Sequence, residues 1–234
     1  MTLLGDVKMN DKVSLQKPLS TTLTRVGIVL VVVGLLDICY MVYCIVHRLS
    51  YHSSLNIFAV IAGIYLIRGN LRATGVITWF AAFMLAGVIG GLVLLVPFFL
   101  PMRLLLTEFS LNPVSMSLSF GLSVVMLLII AWVYRSLRSP IVLQARSEAG
   151  LNGRSPITAV LAGIAIVVII AVVMRAFMNS DAAKQARNIA LKMDGPDYSY
   201  VIQSMNITNG HVSALITAYN KTEIKTVQVY FQEN

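Results

Sequence analysis

Charge is scarce in this chain of 234 residues, where Asp, Glu, Lys and Arg together make up 12%. A soluble domain carries roughly a quarter. With 57% hydrophobic residues, most of the chain must face lipid. Acids are the rarer sign, ten against eighteen basic residues, for a net charge of +8. That excess does not point to nucleic acid, because the basic residues collect in short loops beside apolar runs, as topology signals do.

Cysteine is nearly absent. Cys39 and Cys44 share one apolar run, and five residues apart on a helix they do not face each other, so no disulfide joins them. Histidine occurs three times, as His47, His52 and His211. His47 and His52 have no nearby Cys, Asp or Glu to complete a metal site, and axial haem ligation needs histidines on facing helices. There is no HExxH, no GxSxG, no paired acidic motif and no positioned Cys–His pair. The GLNG at 150–153 in AGLNG is not followed by GK[ST], so it is no phosphate loop. These absences leave no catalytic residue, metal ligand or cofactor site to name.

What is present is a series of apolar runs. Residues 157–174, ITAVLAGIAIVVIIAVVM, carry no charge and read as the last membrane span. Arg135, Arg138, Arg146 and Arg154 precede it against one acid, Glu148. A polar stretch from 175 to 234 follows it. The basic side of a span stays in the cytoplasm, so this span carries a soluble tail across.

Four further spans are expected. Residues 26–46 form the first, with Asp37 near the centre, where an ionised carboxylate costs roughly 2.5–3.5 kcal/mol. Helical spacing sets Asp37, Tyr40, Cys44 and His47 roughly along one face, as a packing or partner contact or, in the sharper reading, a proton relay. Residues 56–67 are short for a span and need extension back to about Tyr51. Residues 74–98 form the third, with Gly87, Gly90 and Gly91 in AGVIGG as a close-packing stripe. The segment 100–113 fits an outer interfacial piece. Residues 115–134 form the fourth span, with Trp132 and Tyr134 at the inner aromatic belt, and 136–156 form the main cytoplasmic loop. With residues 1–25 inside, too polar for a signal peptide, the inner segments hold ten Lys or Arg and three acids.

The tail changes period. Residues 177–192 favour a helix that Ser180 can cap, and Gly195-Pro196 stops it. Residues 198–207, 211–219 and 224–231 alternate as strands, with Thr208-Asn209-Gly210 as a hairpin turn. Tyr198, Tyr200, Tyr219, Tyr230 and Phe231 enrich this sheet as core or as an open binding face. Asn206-Ile207-Thr208 and Asn220-Lys221-Thr222 match the glycosylation pattern, which matters only in a secretory membrane.

The expected fold is an α-helical integral membrane bundle over 26–174. A small extracytoplasmic α+β domain over 175–234 follows, with one helix on about three antiparallel strands. The expected function is a non-enzymatic accessory or assembly subunit in a bacterial inner membrane. Its partners are the lipid bilayer and another membrane protein or a second copy. Small-solute or proton transport centred on Asp37 is the alternative.

Overall fold

The structure is a computed structural model. It describes residues 3–48, 56–96, 101–151, 155–208 and 210–232, with backbone alone for residues 3–17 and 56. Four helical stretches are long and apolar enough to cross a membrane: Pro18–Val46, Leu71–Leu95, Pro113–Leu137 and Pro156–Met178. The protein is therefore a multi-pass membrane protein. It is mostly helical and ends in a small α+β domain.

Helix α1, Leu3–Val46, runs without a break through the polar N-terminal stretch and the first apolar run. Pro18 lies inside it, and its carbonyl accepts a hydrogen bond from Thr22 Oγ1 at 2.9 Å. Helix α2, Asn56–Ile67, has 12 residues. That makes it about 18 Å long at 1.5 Å per residue, short of a hydrocarbon core of about 30 Å. The expected extension back to Tyr51 lies outside the described residues.

The chain divides into two compact units, residues 1–85 with 127–161, and residues 86–126 with 162–234. The first is built around the pairing of α1 and α2. A Cβ on Gly27 would stand 2.7 Å from the carbonyl oxygen of Gly63, and one on Gly63 would stand 2.5 Å from the carbonyl oxygen of Gly27. Gly27 also meets Ile67 and Gly63 meets Val31, so the two helices run antiparallel. Lipid is as apolar as these side chains, so contact at this range, rather than any hydrophobic gain, holds α1 to α2.

Where α1 and α2 meet, Leu23, Val26 and Leu66 form a buried cluster with Val133, Leu137 and Val142. Val133 and Leu137 belong to helix α5, Pro113–Leu137, and Val142 to a short helix, α6, Pro140–Glu148. The loop at 136–156 includes SEAGLNGRSP, which reads as turn-rich, yet Ser139-Pro140 opens a helix before it, with proline at the first helical position where its missing N–H costs nothing. Helix α3, Leu71–Gly90, begins directly after α2, with Asn70 Oδ1 accepting from the amides of Arg72 and Ala73. Trp79 Nε1 donates to Thr158 Oγ1 at 3.1 Å. This bond ties α3 to the start of helix α7, Pro156–Met178.

In the second unit α3 gives way to a π-helical turn, Gly91–Leu95. Helix α4, Met102–Leu111, occupies the expected interfacial segment and buries Leu104 and Thr107. Thr107 Oγ1 donates to the carbonyl of Asn220, in the turn between the last two strands, at 3.0 Å. After α7, Ser180 caps helix α8, Asp181–Asp194, accepting from the amide of Ala183 at 3.2 Å. Gly195 ends it at φ 87°, a conformation glycine adopts without strain.

Strands β1 (Ser199–Thr208), β2 (His211–Tyr219) and β3 (Ile224–Gln232) form one antiparallel sheet in the order β1-β2-β3. Gly210, at φ 77°, makes the first hairpin turn possible. The register of β1 shifts between Ile202 and Ser204, a bulge. On one face of the sheet Ile202, Ala214, Ile216, Ala218, Val227 and Val229 pack against Ala183, Ala186 and Ala190 of α8. The alanines let the helix lie close on the sheet, and larger side chains on the strands fill the layer.

Candidate functional site

Helix α1 carries Asp37, Tyr40 and Cys44, and His47 follows in the turn at its end. Their environments differ. Cys44 is fully buried, Tyr40 is exposed and hydrogen-bonded with the Cys44 thiol one turn away, and His47 is exposed and makes an edge-on ring contact with Tyr43 at 4.3 Å. Asp37 is partly buried and is not without an interaction partner. Two local contacts lie in this stretch, Tyr40 with Cys44 and Tyr43 with His47. His52 lies outside the described residues. Among the described residues no three of His, Cys, Asp and Glu come together as a metal site.

The AGVIGG stripe stands apart from the close helix approach. A Cβ on Gly90 would meet Val167 at 3.6 Å, one on Gly91 would meet only Leu95 of the same segment, and one on Gly87 would meet nothing within 4 Å. Helix packing on bare backbone occurs instead at Gly27 and Gly63. Ala59 and Gly63, four residues apart in α2, are the small-residue pair that signals it.

The tail presents the more developed surface. With one face of the sheet under α8, the other face presents polar side chains from all three strands. Asn206, Thr208, His211, Ser213, Tyr230 and Gln232 line a cavity of about 550 Å³ there. Farther along β2, Thr217 and Tyr219 are buried.

Of the five aromatic residues expected as core or binding face, four are taken up structurally. Tyr198 and Phe231 pack against the core, and Tyr219 is buried. Tyr200 also packs there, donates to the carbonyl of Gly195 at 2.6 Å, and is pushed above the usual tyrosine range chiefly by burial. Only Tyr230 projects outward, 67% exposed.

Tyr198 belongs to a small polar cluster at the far corner of the sheet. Its hydroxyl donates to Glu223 at 2.9 Å, and Lys225 Nζ lies 4.9 Å from its ring centre. The hydrogen bond with Tyr198 and the charge of Glu223 hold Lys225 above the usual lysine range. On α8, the hydrogen bond from Lys184 holds Asp181 below the usual carboxylate range. Among the described residues of the tail, these polar groups are engaged with one another, and the outer face adds hydrogen-bonding side chains and one exposed aromatic ring.

The two edges of this sheet differ. β1 carries a bulge that interrupts pairing, whereas β3 runs nine residues in unbroken register with β2. Among the described residues β3 pairs with β2 alone, so its outer edge has backbone donors and acceptors outside the sheet ladder. Lys225 is its single charged residue.

No family model matches the chain, and no curated protein and no solved structure matches it.

Proposed function

We propose that this protein is a non-enzymatic accessory or assembly subunit of a membrane or envelope complex. Its helices anchor the small α+β domain, and that domain engages a membrane-protein partner or a second copy. The observation that carries the reading is the edge of β3, open, unbulged and flanked by the exposed ring of Tyr230. Natural sheets guard their edges with bulges, prolines and charges, and of these β3 carries only Lys225, near its start. Asp37, the centre of the alternative transport reading, is partly buried and already has an interaction partner, as a packing residue does.

The test is the size of the native particle after mild detergent extraction. The unaltered chain is expected in an assembly larger than its own mass. Gln228→Lys with Tyr230→Lys places two charges on the edge strand and should reduce the recovered assembly about tenfold, a loss of roughly 1.4 kcal/mol. A native chain that migrates alone, or an assembly that survives both substitutions, refutes the proposal.

The same reading sets the membrane and the orientation: a bacterial inner membrane, with the N-terminus cytoplasmic and the tail extracytoplasmic. Compact loops and a small outer domain favour that membrane. The orientation rests on two supports. The loops on the side of residues 1–25, 68–73 and 135–156 carry the arginine and lysine excess. In addition, α2 returns antiparallel to the region where α1 enters, whatever its length, so α3 sets out from the same side as α1. A reporter fused after Asn234 is expected to be active only outside the cytoplasm. Cytoplasmic activity at that fusion would reverse the orientation.

A further inference from the structure

Where α7 ends, the second unit holds two arginines that form no ion pair among the described residues. Arg175 lies in the last turn of α7 and Arg187 on α8. The ion pairs among the described residues are Lys184–Asp181 and Lys225–Glu223, and neither involves these arginines. Arg187 Nε is buried with no hydrogen-bond partner among the described residues. A buried donor left without an acceptor is costly, and supplying an acceptor relieves that cost.

Both side chains, with Asn179, line a cavity of about 450 Å³ whose other wall is apolar: Leu94, Val168, Ala171 and Val172. Leu94 comes from the π-helical turn. On α7, Val168, Ala171, Val172 and Arg175 follow one another at helical spacing, so they share a face, and Asn179 follows in the turn at its end. Along that face the lining passes from hydrocarbon to guanidinium in about 10 Å, the rise of seven residues. An arginine at a helix end often reaches the interface alone. Here a second arginine arrives from a helix beyond the span, and both line the same space.

We propose that this cavity binds an anionic phospholipid. Arg175 and Arg187 hold the phosphate, with Asn179 as a further donor, and the first part of an acyl chain lies against Leu94, Val168 and Val172. The planar guanidinium fork matches phosphate oxygens, and charge-assisted bonds are roughly twice as strong as neutral ones. A free phosphate satisfies the arginines but leaves the apolar wall unused. A zwitterionic headgroup brings its own cation toward two others.

Native mass spectrometry of the full chain in mild detergent tests this, with phosphatidylglycerol, phosphatidylcholine of the same acyl chains, and inorganic phosphate as probes. Retention of phosphatidylglycerol is expected to exceed that of phosphatidylcholine about tenfold. Arg175→Gln with Arg187→Gln should bring the two lipids level, with the circular dichroism of the wild type. Val172→Trp keeps both charges but fills the cavity, and should also lower phosphatidylglycerol retention. Equal retention of both lipids by the wild type overturns the proposal, as does unchanged retention in the double variant. Inorganic phosphate that displaces phosphatidylglycerol at equal concentration would make this a free-anion site and overturn the lipid assignment. If the double variant fails to fold, Val172→Trp decides alone: undiminished retention there overturns the proposal.

Discussion

Gly63→Val should separate α1 from α2 and destabilise the first unit by more than about 3 kcal/mol, beyond the usual range for overpacking. The reason is what a side chain meets. The nearest atoms include the Gly27 carbonyl oxygen at 2.5 Å and the Val31 amide nitrogen at 3.0 Å. Both are backbone, so no rotamer change relieves the clash and a whole helix has to shift. Gly27→Val faces the mirror problem, with the Gly63 carbonyl at 2.7 Å. Gly121→Val is the control, because nothing lies within 4 Å of its Cβ position, and its effect should stay within about 0.5 kcal/mol. Unfolding in bicelles titrated with dodecyl sulfate would rank the three. A Gly63→Val midpoint equal to that of Gly121→Val would mean that the crossing is not what holds these helices together.

Ala186→Leu should loosen the tail by about 1–3 kcal/mol. Ala186 is fully buried in the layer between α8 and the sheet, among Ile202, Ile216 and Val229. Leucine adds three carbons where the helix lies close because its contact residues are alanines. A core of this size leaves a stability of only a few kcal/mol, so the substitution removes a large part of it. Hydrogen exchange on the full chain reads the effect directly: the β2 amides should exchange about tenfold to a hundredfold faster. Ser180→Ala, which removes the cap on Ala183, should cost about 1 kcal/mol and move the same amides less. Lys184→Ala removes only the exposed pair with Asp181 and should leave the exchange rates near those of wild type. If Ala186→Leu also leaves β2 exchange unchanged, α8 is not part of the tail's core.

The tail was the most legible part of the chain because its signals are local. Ser180, Gly195-Pro196 and the turn at 208–210 act within a few residues, and the strands fall within a residue or so of where alternation places them. The Asn220–Glu223 turn is equally local, with Asn220 Oδ1 accepting from the amides of Thr222 and Glu223.

The membrane region was legible as spans but not as contacts. Apolar runs mark helices, yet any face of an apolar helix looks suitable for packing. GVIGG offered the more conspicuous stripe, while Gly27 and Gly63 meet across 36 residues of chain and neither announces the other. α6 was missed because Gly150 and Gly153 gave the loop a turn-rich look that masked Ser139-Pro140. The cavity at Arg175 and Arg187 had no signature at all, since it joins the end of one helix to the middle of the next.

The order of the sheet also governs how the domain comes into being. Each strand pairs with the one made just before it, so β1, β2 and β3 zip together across turns of a few residues. Such local closure is fast, with hairpins forming in about 1–10 μs. The domain therefore has no need to wait for a distant segment. Its vulnerable moment is the interval before β3 arrives, when β2, the most buried strand of the finished sheet, is itself a bare edge. A chain cut short before Ile224 would keep that edge for good, and such fragments should aggregate while the full-length protein stays dispersed.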